Sequence, residues 1–326
     1  MVQERAIFFS VWSLVAYIGF AVLAHPAVAA LKVVASIPPV HSLVAKVMDG
    51  VVIPELIVRP GASPHAYNLR PSEARTLNQA DVVFWIGDVI ETSLAKPITV
   101  LAEQARVVAL SDIPGLVRLN LRHGGLWEEG EPFEGSGGDG HDHGSVHSGP
   151  HSCTVDPHIW LDPRNATRIV GTIVDVVIAE DPTNADVYRA NGDRAKARLA
   201  ALDSDIAERL APIRDVPYVV FHDAYQYFEN RYGVNAVGSI TVDPERRPGA
   251  KRLAAMRQKI TSLDAKCVFS EPQFEPALAR TVVEGTPARL AVLDPLGADV
   301  LAGPDHYFHL LLGLVNSLVN CLANDV

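Results

Sequence analysis

Two kinds of hydrophobic pattern alternate along the chain from residue 31 onwards. Short runs rich in β-branched residues predict strands, and longer runs with apolar residues three or four positions apart predict helices. In the first half the predicted strands are 31–37, 53–58, 82–87 and 106–110, with helices predicted at 40–50, 71–80 and 90–104. Apolar strands separated by helices indicate a parallel sheet with both faces covered, so this half is expected to form one α/β lobe.

The second half repeats this alternation without repeating the residues themselves. The predicted strands are 217–222, 234–240, 266–271 and 288–294, and the predicted helices are 223–232, 248–263, 274–285 and 304–323. The pattern therefore predicts a second α/β lobe built in the same way as the first.

Two helical stretches lie between the lobes, at about 165–180 and 184–211. The longer one has apolar residues at spacings of three and four, namely Ala195, Leu199, Leu202, Ile206 and Leu210. At 1.5 Å per residue it would be ~40 Å long, about the span of two small lobes. The predicted division is an N-terminal lobe (30–183), a connecting helix (184–211) and a C-terminal lobe (212–326).

The segment 120–151 is rich in glycine and in acidic residues and cannot bury a core of its own, so we predict a mobile loop inside the first lobe. Its histidines make it a candidate for weak accessory zinc binding, with a plain solvated tether as the alternative. The candidate loop ligands are His141, His143, His147 and His151.

The chain begins with an apolar run at 6–24 that follows Arg5 and leads to the small residues Ala27, Val28 and Ala29. This arrangement is typical of a secretory signal peptide, which we place at residues 1–29 and which predicts a periplasmic protein. An uncleaved membrane anchor is the alternative, because the run approaches spanning length. After cleavage we expect no membrane insertion and a monomer.

Charge and cysteine content narrow the possible binding partners and predict a disulfide. The chain has 28 Lys+Arg against 38 Asp+Glu, a net charge of -10, and no basic stripe, so nucleic acid is not an expected partner. An oxidising compartment favours pairing two of the three cysteines. Cys267 lies in an apolar strand-like run and Cys321 lies in the last helix, so we pair these two. Cys153 then remains as a soft accessory ligand or a free thiol.

Candidate metal ligands follow the predicted strands of both lobes. His65 follows the second strand, His158 precedes a helix, and His222, Glu271 and Asp294 end later strands. Ligands in open α/β sheets bind outside the carboxyl ends of the strands, so these side chains could converge in a cleft between the lobes. Three imidazoles and one carboxylate suit tetrahedral zinc. Glu271 either contacts the metal or orients a ligand by a hydrogen bond on the side away from the metal.

The chain resembles the metal-specific solute-binding proteins of ABC importers, and within them the ZnuA-type periplasmic zinc-binding proteins. The stretches that carry the resemblance are SPHAYNLRPSEA, DPHIWLDPRN, VFHDAYQYFENRYG, PGAKRL, FSEPQF and LDPLGA, which occur in order along the mature chain. The resemblance implies two lobes joined by a long helix, with the metal in the cleft. It also implies a membrane permease and its ATPase subunit as partners, and its disulfide matches the pair Cys267 and Cys321.

Carried over to this sequence, the resemblance implies His65 and His158 as ligands from the first lobe and His222 and Asp294 from the second. Members that resemble manganese carriers place a carboxylate at the third position, whereas His222 is the zinc-type residue, as expected from the preference of zinc for nitrogen. Pro64 stands where some zinc members have an acidic residue. The fourth ligand is therefore left as either Asp294 or water.

The resulting hypothesis is a carrier, not an enzyme, that binds Zn²⁺ as transported cargo. A manganese or iron carrier is the alternative within the family. A periplasmic zinc hydrolase is the alternative outside it, because such enzymes also use three protein ligands and one open position. The chain contains no H-E-x-x-H helix, and Glu271 is the only candidate general base.

Overall fold

The computed structural model describes residues 30–122, Trp127 and residues 155–323. In the first half, four parallel strands form a sheet in the order β2-β1-β3-β4. They are β1 (Val33–Ala35), β2 (Glu55–Leu56), β3 (Val82–Trp85) and β4 (Arg106–Ala109). The helices between them are α1 (Pro38–Val47), α2 (Pro71–Asn78) and α3 (Thr92–Leu101). Both α1 and α2 begin with proline, whose fixed φ suits the first helical turn.

The second half repeats this topology, with four parallel strands in the order β6-β5-β7-β8. The strands are β5 (Tyr218–His222), β6 (Ala236–Thr241), β7 (Cys267–Ser270) and β8 (Arg289–Val292). The helices are α6 (Gln226–Tyr232), α7 (Ala250–Ser262) and α8 (Ala277–Val283). The predicted class of two parallel sheets flanked by helices is thereby confirmed.

Two long helices connect the halves, α4 (Pro163–Glu180) and α5 (Ala185–Leu210). At 26 residues, α5 is about 39 Å long, as expected of the connector. It packs against α4 and α1 and against the last helix, α9 (His306–Leu322). Gly192 allows the close approach of α4, because a Cβ at that position would lie 2.5 Å from Val174 Cγ2. The connector is therefore packed along its length.

Helix α9 belongs to the second lobe in the sequence-based division but packs against α1 of the first half and against the connector α5. The predicted disulfide is present between Cys267 and Cys321, with an Sγ–Sγ distance of 2.04 Å, and it joins α9 to β7 of the second sheet. One hydrophobic core accordingly runs through both halves, and a smaller cluster covers the other face of the second sheet. The lobes share a core as well as a cleft.

The predicted signal peptide (1–29), most of the Gly- and His-rich segment and Cys153 lie outside the described residues. Within the described residues, none of the helices combines the length and the apolar character needed to cross a membrane.

Candidate metal centre

Three histidines from three different parts of the chain meet between the two sheets. His65 lies in the loop after β2, His158 precedes the 3₁₀ turn Ile159–Leu161, and His222 is the last residue of β5. Their candidate ligand atoms all lie within 4.8 Å of one another. Their ring centroids are 5.3 to 5.7 Å apart. As the sequence predicts, two imidazoles come from the first lobe and one from the second.

Hydrogen bonds orient two of these rings. Asp156 Oδ1 lies 2.8 Å from Nδ1 of His158, and Glu271 Oε1 lies 2.7 Å from Nδ1 of His222. When each carboxylate accepts a hydrogen bond from the Nδ1–H of a neutral imidazole, the lone pair of that ring is on Nε2. Both Nε2 atoms are buried and have no hydrogen-bond partner. Burying such an atom unpartnered is unfavourable, so this arrangement is typical of a site that awaits a cation.

The space between the rings is small. It forms a cavity of about 10 Å³, on the scale of one ion or one water molecule. The Trp160 ring lies 5.3 Å from that of His158, and its Nε1 donates to the carbonyl of Pro295 at 2.9 Å. The remaining lining is largely apolar and includes Pro64, Ile90, Phe274, Pro295 and Leu296. A low-polarity wall around nitrogen donors strengthens the electrostatic attraction for a divalent cation.

Burial and mutual repulsion set the protonation of the three rings in different ways. Burial, followed by repulsion from the other two imidazoles, lowers the pKa of His65 to about 2. Burial and the charge of His222 likewise lower the pKa of His158 well below its usual value. Burial also acts to lower the pKa of His222, but the Glu271 carboxylate outweighs it and raises that pKa. Two of the imidazoles are therefore neutral near pH 7, and the third is protonated more readily than the other two.

The two predicted carboxylates have different positions. Glu271 lines the cavity and holds His222, which fits the orienting role, and its Oε2 is buried with no hydrogen-bond partner. Asp294 is not among the clustered ligands in the described part of the chain. Its carboxylate instead accepts hydrogen bonds from Gln273 Nε2 at 2.8 Å and from the backbone N–H groups of Leu296 and Ala298. In this structure Asp294 holds the turn that follows β8.

Three residues near the site were assigned no role from the sequence, namely Asp156, Arg122 and Tyr227. They contact the ligands' neighbours or hold a ligand ring, and they lie on the side away from the cavity. Asp156 is 1% exposed and contacts both the ring and the backbone N–H of His158. Its position two residues before a candidate ligand was the available signal. Arg122 gave no local signal, because its partners, Asp223 and Glu229, are more than a hundred residues further along the chain.

The accessory ligands predicted in the loop, His141, His143, His147 and His151, lie outside the described residues. Within the described residues, the three-histidine cluster is the one group of His, Cys, Asp and Glu side chains placed to hold a metal.

Comparison with known proteins places the chain in a family. The family model described as ZnuA, zinc-uptake complex component A, periplasmic, matches residues 33–321. A Brucella suis protein named high-affinity zinc uptake system protein ZnuA is 48% identical over 316 residues, covering 89% of this chain and 91% of the relative. A Yersinia pestis protein of the same name is 39% identical over 303 residues, covering 92% and 94%. A crystal structure of ZnuA aligns with a TM-score of 0.73, covering 90% of this chain and 99% of the other, and its 22% identity supports the fold alone. The chain belongs to the ZnuA family of periplasmic zinc-uptake components.

Proposed function

We propose that this protein captures Zn²⁺ in the periplasm and delivers it to the permease of an ABC importer, whose ATPase subunit drives uptake. The observation that carries the proposal is the convergence of three imidazoles in which two buried Nε2 atoms lack partners. Imidazole nitrogen suits zinc, whereas manganese prefers oxygen ligands. The names of the Brucella suis and Yersinia pestis relatives, which describe high-affinity zinc uptake, point in the same direction.

The protein is a carrier and not an enzyme. Its family is described as a component of an uptake complex. The only candidate general base, Glu271, is 3% exposed and hydrogen-bonds to His222. A base in that position orients a ligand and does not face a substrate.

We assign His65, His158 and His222 as the zinc ligands, with Glu271 and Asp156 orienting His222 and His158. The fourth position is taken by a water molecule or by Asp294. Asp294 would first have to release its hydrogen bonds to the turn at Leu296 and Ala298. Because Zn²⁺ accepts an open fourth position, the three imidazoles are sufficient for binding.

The substitution Asp294→Asn separates the two possibilities for the fourth ligand. If water completes the site, zinc affinity should change by less than about threefold, because no ligand is removed and the amide oxygen can still accept one of the two backbone hydrogen bonds of the turn. Competition titration with a zinc chelator measures this directly. A loss of about 100-fold, comparable with the removal of a ligand, would instead assign Asp294 to the metal.

The loop histidines are proposed as weak accessory zinc sites. Deleting residues 123–151 should abolish the weak binding events and leave the tight site within about threefold of its original affinity, because its three ligands lie outside the deletion. Isothermal titration of the intact and shortened proteins gives both the stoichiometry and the affinity. A shortened protein that lost tight binding would show that the ligands are misassigned.

The experiment that tests the proposed function is native mass spectrometry of the mature chain from Leu31. The protein is stripped of metal and offered equal concentrations of zinc and manganese. One tightly retained zinc supports the proposal. Preferential retention of manganese would favour the manganese carrier instead.

A further inference from the structure

Beside the metal site, two short segments of the first lobe run together toward the second lobe. Residues 117–122 and 155–158 form this strap. Its two legs are joined by an antiparallel bridge between Asn120 and Val155 and by the hydrogen bond from Asp156 N to Leu119 O at 2.8 Å. Asn165 at the start of α4 fixes the first leg through two hydrogen bonds to Val117. The strap is thus anchored in the first lobe, and it ends at His158.

Tyr227 on α6 of the second lobe contacts both legs of the strap. Its hydroxyl accepts a hydrogen bond from Leu119 N at 3.2 Å and donates one to Asp156 O at 2.8 Å. Asp156 is the residue whose carboxylate holds the ring of His158. One buried hydroxyl of the second lobe therefore contacts the backbone of Asp156, the residue that orients a first-lobe ligand.

Arg122 makes the reciprocal contact, from the strap into the second lobe. Its Nε lies 2.9 Å from Asp223 Oδ2, and its Nη1 lies 2.7 Å from Glu229 Oε2. Asp223 directly follows His222 in the chain, and Glu229 lies on the same helix as Tyr227. The guanidinium side chain is 23% exposed and Glu229 7%, so the ion pairs are only weakly screened. A planar guanidinium can bridge two carboxylates in a fixed geometry, which lysine cannot do.

We propose that Arg122 and Tyr227 are positioning residues that hold His158 of the first lobe at a fixed distance from His222 of the second and thereby set how long zinc stays bound. The inference rests on the proposed function and adds to it the part of the structure that controls release. The two contacts run in opposite directions across the cleft, and each ends within one or two residues of a ligand. Loss of either contact loosens the spacing of the imidazoles without removing a donor atom.

The protein contains a matched pair of contacts away from the site. Arg231 and Tyr232, also at the end of α6, both contact Asp203 on α5, with Arg231 Nε at 2.9 Å and the tyrosine hydroxyl at 2.9 Å. The test compares Arg122→Gln and Tyr227→Phe with Arg231→Gln and Tyr232→Phe in the mature chain. The measured quantities are the zinc dissociation rate into excess chelator, the visible spectrum of bound Co²⁺, and the melting temperature of the metal-free protein.

We expect zinc to dissociate about tenfold faster from Arg122→Gln and several-fold faster from Tyr227→Phe, in the range observed when groups behind metal ligands are altered. The Co²⁺ spectrum of both variants should change in intensity as the tetrahedral geometry relaxes. Arg122→Lys should release zinc more slowly than Arg122→Gln but faster than the unaltered protein, because lysine keeps the positive charge but lacks the planar guanidinium that bridges two carboxylates. Arg231→Gln and Tyr232→Phe should lower the melting temperature and leave the dissociation rate within about twofold of the original.

Equal dissociation rates in the strap variants and their controls would overturn the inference. Should Arg122→Gln fail to fold, Tyr227→Phe, which removes a single oxygen atom, decides the question alone. A failure of the proposed function is distinguishable, because the unaltered protein would then hold no tight zinc. If the unaltered protein holds zinc tightly while the strap variants release it at the original rate, only the positioning role is wrong.

Discussion

Replacing His222 by alanine is expected to weaken zinc binding by about 100- to 1,000-fold. Small zinc sites bind with about 10–16 kcal/mol shared among four ligands, so losing one protein ligand costs roughly 2.5–4 kcal/mol, and each 1.4 kcal/mol is a factor of ten. His222 is also the only imidazole that the second lobe supplies to the cluster found in the described residues. The variant would therefore leave zinc with imidazoles from the first lobe alone.

The matched control is His309→Ala, because His309 is exposed on α9 and is not part of the cluster. Competition titration and native mass spectrometry should show one tight zinc in the control and none in His222→Ala. The melting temperature of the metal-free proteins checks that the fold survives. Unchanged zinc affinity in His222→Ala would mean that the three-histidine cluster is not the zinc site.

The fold was predictable because its signals are local. Apolar runs at 82–87 and 217–222 mark buried strands, and the three- and four-residue spacing from Ala195 to Leu210 marks the connector. Both patterns are properties of a single segment. The packing of α9 against the first half was not predictable, because it depends on how helices that are distant in sequence share one core.

The convergence of His65 and His222 was predictable for a related reason, whereas His158 precedes a helix and its place in the set came from the resemblance. Parallel strands bring their carboxyl ends to one edge, so ligands that follow strands converge there. Asp294 satisfies the same rule, yet it bonds to Gln273 and to the turn it begins. The position of Asp294 after a strand predicts that its side chain lies near the cleft. It does not predict which neighbouring N–H groups donate hydrogen bonds to the carboxylate. The contacts of Arg122 depend in the same way on residues from the other lobe.

Zinc affinity is expected to fall when the pH is lowered from 7.5 to 5.5, by up to about tenfold per pH unit for each proton that zinc displaces. In the metal-free protein, His65 and His158 are already neutral over this range because burial lowers both pKa values. The pKa of His222 is raised by Glu271, so His222 is the imidazole that is protonated most readily as the pH falls, and zinc must displace that proton. Displacing one proton reduces the affinity about tenfold for each pH unit below that pKa, and the affinity becomes constant above it. Asp156, whose pKa burial raises to about 7, acts in the same direction, because zinc on His158 favours the ionised carboxylate.

The substitution Glu271→Gln tests the origin of this pH dependence. Without the carboxylate, the largest influence that raises the pKa of His222 is removed, so that pKa falls and His222 is protonated to a smaller extent at pH 5.5. The variant should bind zinc about 10- to 100-fold more weakly at pH 7.5, because His222 loses its orienting partner. Its loss of zinc affinity between pH 7.5 and pH 5.5 should be about tenfold smaller than that of the unaltered protein. Competition titrations of both proteins at pH 7.5, 6.5 and 5.5 provide the comparison. Parallel pH curves would show that Glu271 does not control the proton on His222, and equal affinities at all three pH values would contradict histidine ligation itself. If the variant loses less affinity on acidification, the carboxylate that orients the ligand has a cost as well as a benefit, since the charge that fixes the ring of His222 also retains the proton with which zinc competes.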